Sequence, residues 1–231
     1  MRGVALTGLS PSADAERYRG AITTAVRALV AGDLPGAYAA TSSIAGEIWP
    51  GGVLAAKRVR EASLTPGASP PARPNSTEYV RLKARAYVRD RAQCRYCGQR
   101  LIPTAILVAL HSKYPSEVPY NTRFRRGSIH SAFWLLGTEA DHVHAGSRGG
   151  RWDSFDNLAT ACVVCNTAKG DADLEDLDGW TLRDPADQEW DGLIPLYRPL
   201  WQQVGRPTSD GGGHKSWLPA LEAARAADHL E

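Results

Sequence analysis

Along the first fifty residues the apolar positions recur at helical spacing. Tyr18, Ile22, Val26 and Leu29 lie three or four apart and Gly32 closes the run, which predicts an amphipathic helix. A weaker pattern after Pro35, through Tyr38, Ile44 and Ile48, predicts a second helix broken by Trp49-Pro50-Gly51-Gly52. A short helix is expected over 53–62. From 64 to 75 the chain reads LTPGASPPARPN, and prolines at this density deny the backbone both helix and ladder, so the stretch reads as a linker or extended arm. Asn75 and Glu78 have capping-box spacing, and the helix they open turns Val80, Ala84, Tyr87 and Val88 to one side.

Further on, the apolar run LIPTAILVAL from Leu101 gives way to a polar stretch with Lys113, Arg123, Arg125 and Arg126. Residues 101–128 therefore read as an insertion. The aromatic and β-branched residues of SIHSAFWLLG predict a strand over 129–136. Short helices are expected over 193–203 and 216–230, on either side of Gly211-Gly212-Gly213. The pattern divides the chain into a helical N-terminal region (1–63), a proline-rich linker (64–75), a central domain (76–192) and a helical tail (193–231). No internal repeat or heptad pattern is visible.

A length of 231 residues allows one substantial domain or two small ones. With 43% hydrophobic and 23% charged residues, the chain falls outside the disordered and fibrous classes. The net charge of +2 is too small to argue for nucleic acid, but its distribution is uneven. Between Arg81 and Arg100 seven basic residues face one acid, Asp90; between Asp171 and Asp191 nine acids face Arg183 alone. A basic stripe fits a phosphate backbone, and it equally fits a solvated helix face. No signal-peptide core opens the sequence and no run approaches the roughly 18–20 apolar residues of a membrane span. The expectation is a cytoplasmic protein without a membrane partner, where paired cysteines are more often metal ligands than disulfides.

All four cysteines fall in two Cys-x-x-Cys pairs, Cys94/Cys97 and Cys162/Cys165. Two such knuckles complete a closed, structural Cys₄ zinc site; disulfides or free thiols are the alternatives. Between them Asp141-His142 sets a carboxylate, a hard ligand for Mg²⁺ or Mn²⁺, beside an imidazole that can take a proton near neutral pH.

Asp141-His142, Gly149-Gly150, Asn157-Leu158, Cys162 to Asn166 and Lys169-Gly170, together with the upstream CRYCG at Cys94, resemble the zinc-bearing subset of the HNH endonuclease family. The resemblance spans 80–171. It implies a ββα-metal finger that hydrolyses DNA phosphodiesters, leaving 5′-phosphate and 3′-hydroxyl ends. In that scheme His142 is the general base, Asp141 and Asn166 hold one catalytic Mg²⁺ or Mn²⁺, and Asn157 braces the loop that carries His142. Cys94, Cys97, Cys162 and Cys165 hold the structural Zn²⁺. Arg81, Arg85, Arg89, Arg148 and Lys169 are candidate nucleic-acid contacts. One departure is Val143-His144-Ala145, where the family often has a proline; strand alternation puts His144 on the face of His142, as a metal or phosphate contact or as a surface neighbour. Trp152 and Phe155 read as packing residues and His214 as a loop residue.

The sequence thus predicts an α+β protein: a helical N-terminal region, a proline-rich arm, a zinc-stapled HNH finger and a short helical tail. Its expected function is metal-dependent DNA endonuclease. The rivals are a non-catalytic zinc-stabilised nucleic-acid-binding module and a partner-binding protein that uses the finger as a scaffold.

Overall fold

A computed structural model of the protein describes residues 12–50, 76–123, 125–208 and 212–228. The helix expected over 53–62 and the proline-rich arm lie outside the described residues. Helix α1 (Ala13–Val30) buries Tyr18, Ile22, Val26 and Leu29, the four residues that define its stripe. Gly32 ends it at φ +80°, a conformation only glycine adopts without strain. Helix α2 (Leu34–Ser42) starts at Asp33, whose side chain accepts the Gly36 N–H at 2.9 Å. Arg17 holds Glu47 through two bonds of 2.6 and 2.5 Å, and Tyr18 donates to the same carboxylate. The α1–α2 turn is thereby fastened to the chain that follows it.

Helix α3 (Ser76–Arg89) buries Ala84, Ala86, Tyr87 and Val88 and packs along the C-terminal helix α8 (His214–Asp228). The stretch read as an insertion contains α4 (Thr104–Lys113), in which Ala105, Ile106, Leu107, Val108, Ala109 and Leu110 are all buried. An apolar run without a polar face fits a helix enclosed on every side, and α4 belongs to the main core.

The strand expected over 129–136 is instead a helix, α5 (Ser131–Leu136). His130 caps it by accepting the Ala132 N–H at 3.0 Å, and Ala132, Phe133 and Leu136 are its buried face. Those positions do not alternate, and period outweighs composition.

The strand that does lead into the Asp-His pair is β1 (Thr138–His142). It pairs antiparallel with β2 (Leu158–Cys162), Asp141 opposite Ala159 and His142 opposite Leu158. Helix α6 (Val163–Lys169) follows directly and completes a ββα finger. In the tail, α7 (Tyr197–Gln203) precedes α8, which begins at His214, two residues before the expected start. His214 is 3% exposed and its Nδ1 lies 2.6 Å from the Tyr197 hydroxyl, so it is a packed helix residue rather than a loop residue.

Two clusters hold the molecule together. The larger joins buried side chains of α1, α3, α4, α5, α7 and α8 with Ala140 and Leu158 of the finger. The smaller surrounds the cysteines with Tyr96, Leu101, Ala159, Ala161 and Trp180. Among the described residues no helix is long and apolar enough to cross a membrane.

Candidate functional site

The four cysteine sulfurs come together, all within 4.8 Å of one another. The Cys97 and Cys162 sulfurs are 4.0 Å apart; zinc–sulfur bonds of about 2.3 Å in a tetrahedron set neighbouring sulfurs roughly 3.8 Å apart. The donor set and its spacing fit a closed zinc site. Burial opposes ionisation of Cys94, yet hydrogen bonds from Cys162, Cys165 and Cys97 hold its thiol well below the usual range. Cys165 is pushed the other way by its bonds to Cys162, Cys94 and Cys97. Cys162 is raised as well, its bond to Cys165 outweighed by those to Cys94 and Cys97 and by burial; zinc ligation itself would deprotonate the thiols.

Asp90, fully buried, locks this nest to the finger. Arg89 and Arg95 donate to its carboxylate, and so does the Thr160 N–H of β2 at 2.8 Å. The Arg95 N–H in turn bonds the Thr160 carbonyl. The Asp90 role was missed in the sequence, although this residue is the single acid in the basic stretch and so carried a signal.

At the end of β1, Asp141 and His142 face opposite sides of the strand. Asp141 is 5% exposed; its Oδ2 accepts the Tyr96 hydroxyl at 2.5 Å and lies 3.0 Å from the Lys169 ammonium. Burial raises the Asp141 pKa, with Lys169 and Tyr96 acting against the rise. Lys169, expected among the nucleic-acid contacts, is 3% exposed and also donates to the His142 carbonyl at 2.7 Å. It is turned inward as the counter-charge of a buried carboxylate and is not available to phosphate. Asn166 lies one turn before Lys169 on α6 and is half-buried. A carboxylate offers about four acceptor positions, of which Tyr96 and Lys169 use two. A carboxylate oxygen and an amide oxygen are both hard donors of the kind Mg²⁺ or Mn²⁺ takes.

His142 is 7% exposed, with Nε2 3.4 Å from the Trp152 carbonyl. Its ring meets Tyr79 in a near-parallel stack and Trp152 edge-on. Trp152 thus touches the candidate base. Tyr79 was absent from the sequence reading, because nothing local marks a tyrosine 63 residues upstream as a neighbour of His142.

The loop between the strands is tied by Asn157. Its Oδ1 accepts the His144 N–H at 2.8 Å, and its Nδ2 donates to the carbonyls of His144 and Arg151. Gly149 has φ +98°, and a Cβ at Gly150 would lie 2.0 Å from the His144 carbonyl oxygen. Both glycines are required where the loop doubles back. Because β1 ends at His142, alternation does not carry to His144; its Nδ1 is 2.9 Å from Asp173, which also accepts the Ala145 N–H.

Much of the basic stripe is paired within the chain. Arg100 meets Asp187 and Glu16, Arg95 meets Asp184 and Asp90, and Arg91 bonds Gln188. Arg89, expected at the nucleic acid, binds Asp90 and the Leu158 carbonyl, and Arg148 binds Asp176 and Asp173. Arg81 and Arg85 stay exposed, and no ion pair of either is found among the described residues; Arg85 lies over the Phe155 ring at 4.2 Å.

No curated protein and no solved structure matches the chain. Residues 131–172, which run from the start of α5 through both strands and α6, match the HNH endonuclease family model, so the finger is an HNH domain and points to a nuclease or other nucleic-acid-related function.

Proposed function

We propose that the protein is a metal-dependent endonuclease that hydrolyses DNA phosphodiesters. The observation that carries this reading is the joint made by Lys169. It ties α6, and with it Asn166, to the strand end that bears Asp141 and His142. In this scheme His142 accepts a proton from the attacking water as its oxygen bonds phosphorus. The P–O3′ bond breaks, and the departing oxygen takes a proton from solvent water to leave a 3′-hydroxyl opposite a 5′-phosphate. Asp141 and Asn166 would hold a divalent ion, which would supply Lewis acidity for phosphodiester hydrolysis. Asn157 keeps the loop after His142 closed, and Arg81 and Arg85 meet the DNA backbone outside the site. A zinc held by Cys94, Cys97, Cys162 and Cys165 would be structural.

Plasmid nicking in Mg²⁺ or Mn²⁺ tests the reading. His142→Ala should lower the rate by about 10²- to 10⁴-fold, the usual contribution of a general base. Equal rates for the two proteins would remove the catalytic assignment. DNA binding without nicking by either would favour the non-catalytic module.

A further inference from the structure

The His142 imidazole lies nearly parallel to the Tyr79 ring, with centroids 6.0 Å apart and 11° between planes. The Trp152 indole meets it edge-on at 4.5 Å and 71°. Each contact is itself braced. Lys83, one turn along α3 from Tyr79, sets its ammonium 4.4 Å from the centre of the tyrosine ring. Gly146 lies so close beneath Trp152 that a Cβ there would be 2.3 Å from the indole.

An offset stack on one ring and an edge contact from another leave an imidazole little freedom to rotate. A general base depends on that restriction, because proton transfer requires its nitrogen within hydrogen-bond reach and correctly directed. The β1 backbone places His142 but does not set its side-chain torsions. The aromatic pair restricts them, together with the approach of Nε2 to the Trp152 carbonyl at 3.4 Å.

We infer that Tyr79 is a positioning residue for His142, supplied by a helix that lies outside the ββα finger and precedes the zinc loop. The inference rests on His142 being the general base. It assigns the work to the ring face of Tyr79 and not to its hydroxyl, so phenylalanine replaces it and an aliphatic side chain does not. One of the two rings that hold His142 then comes from outside the segment that carries the family motif.

Two measurements on the full chain test this. In protein carrying ¹³C-labelled histidine there are six histidines to resolve, and the His142 signal is the one lost in His142→Ala. Tyr79→Leu should shift that ring-proton signal by removing the ring current, while the signal of His130, whose ring meets Tyr18, stays in place; Tyr79→Phe should leave both where they are. In plasmid nicking, Tyr79→Leu should lower kcat by about ten- to a hundredfold, as misorientation of a catalytic group does, with KM unchanged and with Tyr79→Phe near wild type. Should the leucine variant fail to fold, Tyr79→Gln gives the same two readings.

A leucine or glutamine variant that nicks at the wild-type rate, or whose His142 signal stays put, overturns the inference. So does a phenylalanine variant as impaired as the leucine one. Wild-type protein that does not nick would remove the nuclease reading and this role with it. An active wild type with an indifferent Tyr79→Leu removes only the role of Tyr79.

Discussion

His130 accepts the Ala132 N–H at Nδ1, so its proton sits on Nε2, which lies 2.7 Å from the Ile44 carbonyl. One neutral tautomer therefore serves both bonds. Burial holds its pKa below the ordinary 6.5, against the pull of the Ile44 carbonyl and Glu47. A histidine whose folded pKa is depressed is protonated more readily in the unfolded chain. Its contribution is complete above 6.5 and is lost as the pH falls from there through the folded value. Glu47, held down to about 2 mainly by Arg17, contributes above its ordinary 4.5 and is lost only below that, so the two windows separate. Thermal melting between pH 7.5 and pH 5 (values chosen to bracket the histidine window) should show the midpoint falling with acid. His130→Asn should melt lower at the alkaline end, by about 1–3 kcal/mol for the broken bonds, with a flatter acid limb; an unchanged limb would show that His130 is not the titrating group. The two cysteine knuckles were legible in the sequence because the spacing within each pair is local, and their four sulfurs do come together. His130 was not, since Ile44 lies 86 residues away. Lys169 was expected at the nucleic acid and is buried instead, because a lysine reads as exposed until its buried carboxylate is located.

Secondary structure was readable where one face is dry. The α1 stripe is an example, with polar residues on its other side. α5 and α4 failed the reading for opposite reasons. Six residues are too few to show a period beside so many aromatics, and α4, enclosed all round, has no polar face to announce it. The turn between β1 and β2 gives the sharpest prediction at this scale. Gly150→Ala would press a methyl against the His144 carbonyl, backbone that Asn157 grips from both sides. Overpacking of this kind costs about 1–3 kcal/mol, and the displaced segment begins two residues after His142. Urea unfolding should show a lower midpoint for Gly150→Ala, and nicking should slow in the folded protein. A wild-type midpoint together with a wild-type nicking rate would mean that the loop has room it is not shown to have.

The charge asymmetry of the whole molecule was visible in the sequence, but its partner was not. The acidic segment after Asp171 folds back on the arginines around the knuckle, so the stripe read as a DNA footprint is in large part an internal clamp. That clamp, Asp90 and the four sulfurs all act on the same joint, where two stretches 65 residues apart meet at Cys97 and Cys162. The cysteines belong to the smaller apolar cluster, whereas α1, α3, α4, α5, α7 and α8 share the larger one, which contains no cysteine. Zinc removal should therefore act in a graded way. A purified chain should carry about one zinc, the complement of a single Cys₄ site. A strong chelator, or Cys162→Ser, should abolish the zinc content and the near-ultraviolet dichroism of the Tyr96–Trp180 contact, whose rings sit 5.3 Å apart. Nicking should be lost with them, because β2 ends and α6 begins at Cys162, and the two elements frame the site. Most of the far-ultraviolet helical signal should survive, since the larger cluster remains buried. Loss of all helix in one transition on chelation would show that the two clusters fold as one unit, and full zinc content in Cys162→Ser would show that the sulfurs do not act together.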